Sequence, residues 1–329
     1  MSIIDIHCHA TTRTFLGELA RDHVFGLESD GDGFVAPKVG PLDPMLYDLD
    51  KHLAHLEKMN IGLQVISPPP RFVSDARLAA DRDLARRINR HSADLIRNAG
   101  GMIQAFAVPA LTEPEHAVAE IKRAMDEDGL IGVFLPTSAA GRPLDDGAFE
   151  ALFAECNRRK CPIFMHPTTG IERAAIGDYT MLQLVAWPTE TTLCVARMIF
   201  SGVFERYPDL RLILAHGGGT LPYLAGRLDL AREAPKYEFN AQCREHISQP
   251  PSSYLSQIYF DSLVVHKGAL GYLIDLVGGD RVLFGSDYPY EIADTHGAKT
   301  LPILAEMEPA LREGILSGNA KRVLFPTAD

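Results

Sequence analysis

Apolar residues along this chain follow two alternating rhythms. Short, mostly aliphatic runs, about as long as a strand, alternate with longer stretches in which apolar residues return every three or four positions. The first run is Ile3-Ile4-Asp5-Ile6-His7-Cys8-His9, with three β-branched residues among its first four. The runs predict strands at 3–9, 61–67, 102–108, 130–135, 162–166, 210–216, 257–262 and 281–287. Helical spacing predicts a helix from Pro44 through Leu46, Leu49, Leu53, Leu56 and Met59, with Asp43 as its N-cap. Further helices are predicted at 75–98, 113–127, 146–159, 178–186, 190–207, 221–232, 268–277 and 309–317. Strands alternating with helices imply parallel β-α units, and eight of them imply a closed (β/α)8 TIM barrel. An open doubly wound sheet is the competing architecture, but no G-x-G-x-x-G follows the first strand and no strand end carries a P-loop. The barrel is read as a single domain over 1–329. Residues 10–44, rich in Gly, Asp and Pro, form an insertion or lid, and 234–253 form a second long loop.

Composition narrows the function classes. The chain has 329 residues, is 46% hydrophobic and 23% charged, and carries a net charge of −11. That balance fits a globular protein and argues against nucleic-acid or anionic-membrane partners. Five cysteines, Cys8, Cys156, Cys161, Cys194 and Cys243, offer no C-x-x-C pair and suit a reducing compartment. The N-terminal residues lack a basic region followed by an apolar run, and no apolar run is long enough to span a bilayer. These features predict a cytoplasmic protein.

The strand ends carry the candidate chemistry. In a (β/α)8 barrel, reactive groups gather where the strands end. The first strand ends in His7-Cys8-His9, whose two histidines share a face because side chains alternate along a strand. The fifth ends in His166, the sixth in His216 before Gly217-Gly218-Gly219, and the eighth in Asp287 before Tyr288-Pro289. Taken singly, His166 and His216 could anchor loops, and Asp287 could be a turn residue. Together, imidazole nitrogens and a carboxylate on one rim suit zinc or another divalent ion with a position left for water.

On these pieces the chain resembles the metal-dependent amidohydrolase superfamily, in the branch of decarboxylases typified by 2-amino-3-carboxymuconate-6-semialdehyde decarboxylase. The resemblance runs through Ile4-Asp5-Ile6-His7-Cys8-His9, Pro188-Thr189-Glu190-Thr191-Thr192, Ser201-Gly202-Val203-Phe204-Glu205, Ala215-His216-Gly217-Gly218-Gly219 with Gly226-Arg227, Phe260-Asp261-Ser262, Gly285-Ser286-Asp287-Tyr288-Pro289 and Ser317-Gly318-Asn319-Ala320. It implies one ion per chain held by His7, His9, His166 and Asp287, zinc foremost and manganese as the alternative. It also implies His216 as the acid/base, with Asp287 sharing in catalysis. Arg227 resembles an arginine that reaches a neighbouring subunit's pocket and holds a substrate carboxylate, which implies a homodimer.

Departures from the family pattern bear on the substrate. The fourth strand, Ile131-Gly132-Val133-Phe134-Leu135-Pro136, lacks the lysine that two-metal members carboxylate. The insertion lacks the family's second carboxylate-binding arginine, and Lys38 is its candidate replacement. Gln183 stands where the pocket tryptophan is expected and Trp187 where a methionine is usual. Arg71 occupies an apolar position. Arg71, Arg227, Lys38 and Trp187 are thus the candidate substrate-binding residues.

These features predict a non-oxidative decarboxylase of a small unsaturated or aromatic carboxylic acid, working through a metal-activated water. A hydrolase or hydratase could use the same ligands and base. A catalytically dead binding barrel would be expected to show a broken ligand set, and this one is complete.

Overall fold

The computed structural model describes residues 2–37, 40–73, 81–167, 176–234 and 238–325. Eight parallel strands follow one another in sequence order: β1 (Ile3–His9), β2 (Ile61–Ser67), β3 (Ile103–Ala107), β4 (Gly132–Pro136), β5 (Pro162–His166), β6 (Arg211–Leu214), β7 (Ile258–Asp261) and β8 (Val282–Leu283). The segment after β8 closes the sheet on β1. Ile6 N donates to Phe284 O at 3.0 Å, Asp287 N to His7 O at 2.7 Å and His9 N to Tyr288 O at 2.8 Å. This is a (β/α)8 TIM barrel.

Both faces of the strands are covered, so they read as nearly continuous apolar runs. Phe106, Phe134 and Phe164 stack from three successive units inside the barrel, with centroids 5.6 and 5.9 Å apart. Phe164 meets His7 of the opposite strand at 5.0 Å, so this aromatic layer is the floor beneath the strand-end histidines. The β1–β2 register shifts between Asp5 and Cys8, at the end of the strand that carries His7 and His9.

Several element boundaries differ from the sequence expectation. The helix expected from Pro44 to Met59 is two pieces: a 3-10 turn, Pro44–Leu46, and an α-helix, Leu49–Lys58. Asp43 caps the first and Asp48 the second, so the chain holds two successive N-caps where periodicity alone suggested one helix. The helix expected at 75–98 is described as Arg82–Asn98, capped by Asp81, and 74–80 lie outside the described residues. The expected helix at 190–207 is broken at Gly202, whose φ of 77° separates Trp187–Phe200 from Val203–Arg206. A π-turn, Leu182–Ala186, precedes Trp187. The last expected helix is Pro309–Glu313, followed by a π-turn, Gly314–Gly318, and the helix Asn319–Leu324.

The segment read as an insertion is well structured where described. Helix Arg13–Arg21 is capped by Thr12, and Glu28–Ser29, Phe34–Ala36 and Gly40–Pro41 form a small antiparallel sheet. Phe15, Leu16, Leu19 and Phe34 are buried in one apolar cluster with Ile4 and Ile6 of β1. Phe25 stacks on Phe72 at 4.9 Å, so the insertion also packs on the short helix Pro70–Val73 after β2.

Candidate active site

His7, His9 and His166 each have one ring nitrogen tied down. His7 Nδ1 donates to Asp261 Oδ2 at 2.6 Å. His9 Nδ1 donates to Pro68 O at 3.1 Å, with Ser67 Oγ 3.0 Å away. His166 Nδ1 donates to Pro167 O at 3.0 Å. A donor committed through Nδ1 leaves Nε2 as the lone-pair nitrogen, which is how a protein sets an imidazole to ligate metal. The three Nε2 atoms and Asp287 Oδ1 are buried and without a hydrogen bond among the described residues. His7, His9, His166 and Asp287 each present one ligand atom, and these lie within 4.8 Å of one another. Buried polar atoms left this way are costly unless something binds them. Three imidazoles and a carboxylate fit a single divalent ion.

Charge at the cluster follows from burial and from the carboxylates. Burial pulls the His7 pKa down, but Asp287 and Asp261 outweigh it and lift it to about 10. The carboxylates that raise its affinity for a proton raise its affinity for a cation too. Burial lowers the pKa of His9, and it lowers that of His166 further with three neighbouring histidines adding to it. Burial works to raise the Asp287 pKa, yet His7, His216 and His9 hold it well below the usual carboxylate range. Behind the cluster, Asp5 accepts from Ser286 Oγ at 2.6 Å and Gln64 Nε2 at 2.7 Å. Burial lifts its pKa to about 6 despite those bonds.

His216 stands beside the cluster. Its Nε2 is 3.6 Å from Asp287 Oδ2, whereas His7 and His9 meet the other oxygen, Oδ1. It follows β6 in a tight turn with a left-handed φ of 56°. Trp187 opens its helix and stacks on His216, with an 18° interplanar angle at 6.5 Å, and meets His166 edge-on at 5.4 Å. Its Nε1 is buried with no hydrogen bond among the described residues. Tyr290, which the sequence reading left unassigned, leans on the His9 ring at 5.2 Å. Burial raises its phenol pKa, Asp287 adds to that, and Arg71 acts against it. Arg71 therefore lies within electrostatic reach of Tyr290 at the rim. Asp261 is the other group the sequence reading gave no role; its signal was an aspartate at a strand end like Asp287.

Arg227, the remaining described candidate, is not in the cluster. Lys38 lies outside the described residues. Arg227 is exposed on helix Leu221–Glu233 and has no ion pair among the described residues, whereas Asp229 accepts from Ser252 N at 2.9 Å.

The amidohydrolase family model matches residues 4–325. The chain belongs to the amidohydrolase family. A 2-amino-3-carboxymuconate-6-semialdehyde decarboxylase of Dictyostelium discoideum is 30% identical over 288 residues, covering 86% of this chain and 78% of the relative. A 6-methylsalicylic acid decarboxylase of Aspergillus aculeatus is 30% identical over 98% of this chain and 96% of its own length. Among solved structures, a dihydroxybenzoic acid decarboxylase of Polaromonas sp., with bound manganese and the inhibitor 2-nitroresorcinol, superposes with a TM-score of 0.78 at 24% identity. It covers 98% of this chain and 96% of its own. That likeness carries the fold. This amidohydrolase thus shares its barrel and its family with decarboxylases of small acids.

Proposed function

We propose that this amidohydrolase is a non-oxidative decarboxylase of a small unsaturated or aromatic carboxylic acid. One observation carries the reading: three imidazole Nε2 atoms and one carboxylate oxygen converge within 4.8 Å, with a fourth histidine at the carboxylate's other oxygen. The decarboxylase relatives support the reaction type. His7, His9, His166 and Asp287 would hold one divalent ion. The donor set favours zinc, and the Polaromonas neighbour makes manganese the alternative. When bound, the ion supplies Lewis-acid polarisation of an activated water.

The chain's own groups supply the rest. Trp187 and Tyr290 flank the cluster with flat faces suited to a planar acid, and Arg71 offers a guanidinium to a carboxylate or hydroxyl. His216 delivers a proton to the carbon that bears the carboxylate, forming the C–H bond. The C–C bond to the carboxylate then breaks, its electron pair returns to the unsaturated system, and carbon dioxide leaves. His216 recovers a proton from solvent, so carboxylate plus proton gives product plus carbon dioxide with no oxidant.

The exposed face of helix Leu221–Glu233 supports a shared pocket. Tyr223 (81% exposed), Arg227 and Leu230 (62% exposed) are spaced four and three residues apart on one helical stripe. Leu193, also 62% exposed, lies on the neighbouring helix Trp187–Phe200. An arginine framed by exposed apolar residues suits a homodimer in which Arg227 serves the other pocket.

The test is a screen of carboxylated muconates and hydroxybenzoates on protein of measured metal content. The expected result is carbon dioxide release in step with proton uptake, lost on chelation and regained with added ion. Hydrolysis or hydration without carbon dioxide release would overturn the reading.

A further inference from the structure

We infer that Asp261 is a positioning residue that fixes His7 and His216 in one frame, so that a single buried carboxylate sets both the ligand and the acid. The inference rests on the roles proposed for those two histidines. Asp261 ends β7 and is fully buried. Its Oδ2 accepts from His7 Nδ1 at 2.6 Å and from His216 N at 2.9 Å. Its Oδ1 accepts from Gly217 N at 2.7 Å and Leu263 N at 3.1 Å.

Four donors on two oxygens fill the acceptor capacity of a carboxylate. Each bond has a separate consequence. The first orients the His7 ring and commits Nδ1, which leaves Nε2 as the nitrogen that faces the cluster. The bonds from His216 N and Gly217 N grip two successive left-handed residues, φ 56° and 61°. A non-glycine residue in that region persists only where its surroundings hold it. His9 and His166 lean on the backbone carbonyls of Pro68 and Pro167. Among the described residues, only His7 of the three has its Nδ1 on a side-chain carboxylate, and that carboxylate is also the one bonded to the turn of His216.

Asparagine is the informative replacement. It matches aspartate in size, but whichever way the amide turns, its NH2 faces two N–H donors. Asp261→Asn should lower metal affinity about 10–100-fold, measured by competition with a chromogenic chelator. At saturating metal, kcat should fall while KM for the acid stays close to wild type, because the substrate-facing groups are untouched. A structural role alone would shift thermal stability without that split.

A second measurement needs no variant. In metal-free wild-type protein labelled with nitrogen-15 in its histidines, the His7 Nδ1 proton should resonate far downfield and resist exchange. His7→Asn identifies that signal by removing it. Wild-type metal affinity and kcat in Asp261→Asn would overturn the inference, and so would absence of the protected proton. Should Asp261→Asn fail to fold, the wild-type proton decides. If wild-type protein binds no ion and decarboxylates nothing, the proposed function fails, and the imidazole proton still tests Asp261 on its own.

Discussion

At the scale of the residue, the proposed ligands differ from the proposed acid in what each imidazole touches. Three histidines have Nδ1 committed to an acceptor and Nε2 turned inward, whereas His216 Nδ1 is buried without a hydrogen bond among the described residues. His216→Ala should therefore keep close to one ion per chain, by elemental analysis, and lose about 10²–10⁴-fold in turnover. His7→Ala should lose ion and turnover together. A metal-free His216→Ala protein would make His216 a ligand. The pairing of His7 with His9 was legible because alternation along a strand puts residues two apart on one face. The work of Asp261 was not legible. An aspartate before a serine at a strand end looks like any turn residue until the strand that donates to it, 254 positions away, is in place.

Among the elements, the turn after β6 and the helix that begins at Trp187 fit against each other with no room to spare. A Cβ on Gly219 would lie 2.1 Å from Pro188 O, and the residue has a φ of 66°. Gly219→Ala must therefore push the start of that helix, and Trp187 with it, away from His216. Overpacking of this kind costs about 1–3 kcal/mol, so a lower melting temperature and a raised KM are expected together, by calorimetry and steady-state kinetics. A second prediction belongs to the outer layer. Glu155 joins Arg158 and Arg159, and Arg159 reaches Asp126, linking helix Glu150–Arg159 to Pro114–Asp126. Chiefly through Arg158, the Glu155 carboxyl is held down to about 2 from an ordinary 4.5. A depressed folded value means that its contribution is present above the unfolded value and fades as pH falls towards the folded one. The melting-temperature gap between wild type and Glu155→Gln should be full at pH 6 and shrink between about 4.5 and 2. Element order was readable from apolar rhythm, yet the breaks at Gly202, Tyr47 and the π-turns were not. Each is a backbone adjustment inside a stretch whose apolar spacing continues, so periodicity passes through it without a sign.

For the whole molecule, the decisive features join distant parts of the chain. Arg227 is set away from the cluster on an exposed stripe, and the sequence alone could place it on a helix but could not say what it faces. If it serves a partner, mixing inactive His216→Ala with inactive Arg227→Ala chains should restore part of the activity after subunit exchange, read as carbon dioxide release. No recovery in demonstrably mixed dimers would count against the shared pocket. Ion binding should also support the barrel as a whole. At a free ion concentration one hundred times the dissociation constant, linkage contributes about 2.7 kcal/mol. Chelation should then lower the melting temperature by several degrees, and re-addition of the ion should restore it.

The barrel seam sets a timetable for the chain's manufacture. His7 and His9 are made first, and Asp287 belongs to the segment that bonds back to them, with Asp5 and Ser286 paired across 281 positions. At synthesis rates of about 5–20 residues per second, the two histidines wait on the order of 15 to 60 s for the carboxylate that completes their set. A chain that ends before Asp287 presents at most the three imidazoles of His7, His9 and His166, without the carboxylate. If the proposed ion binds, its tight capture would report that synthesis has passed the eighth strand and Asp287.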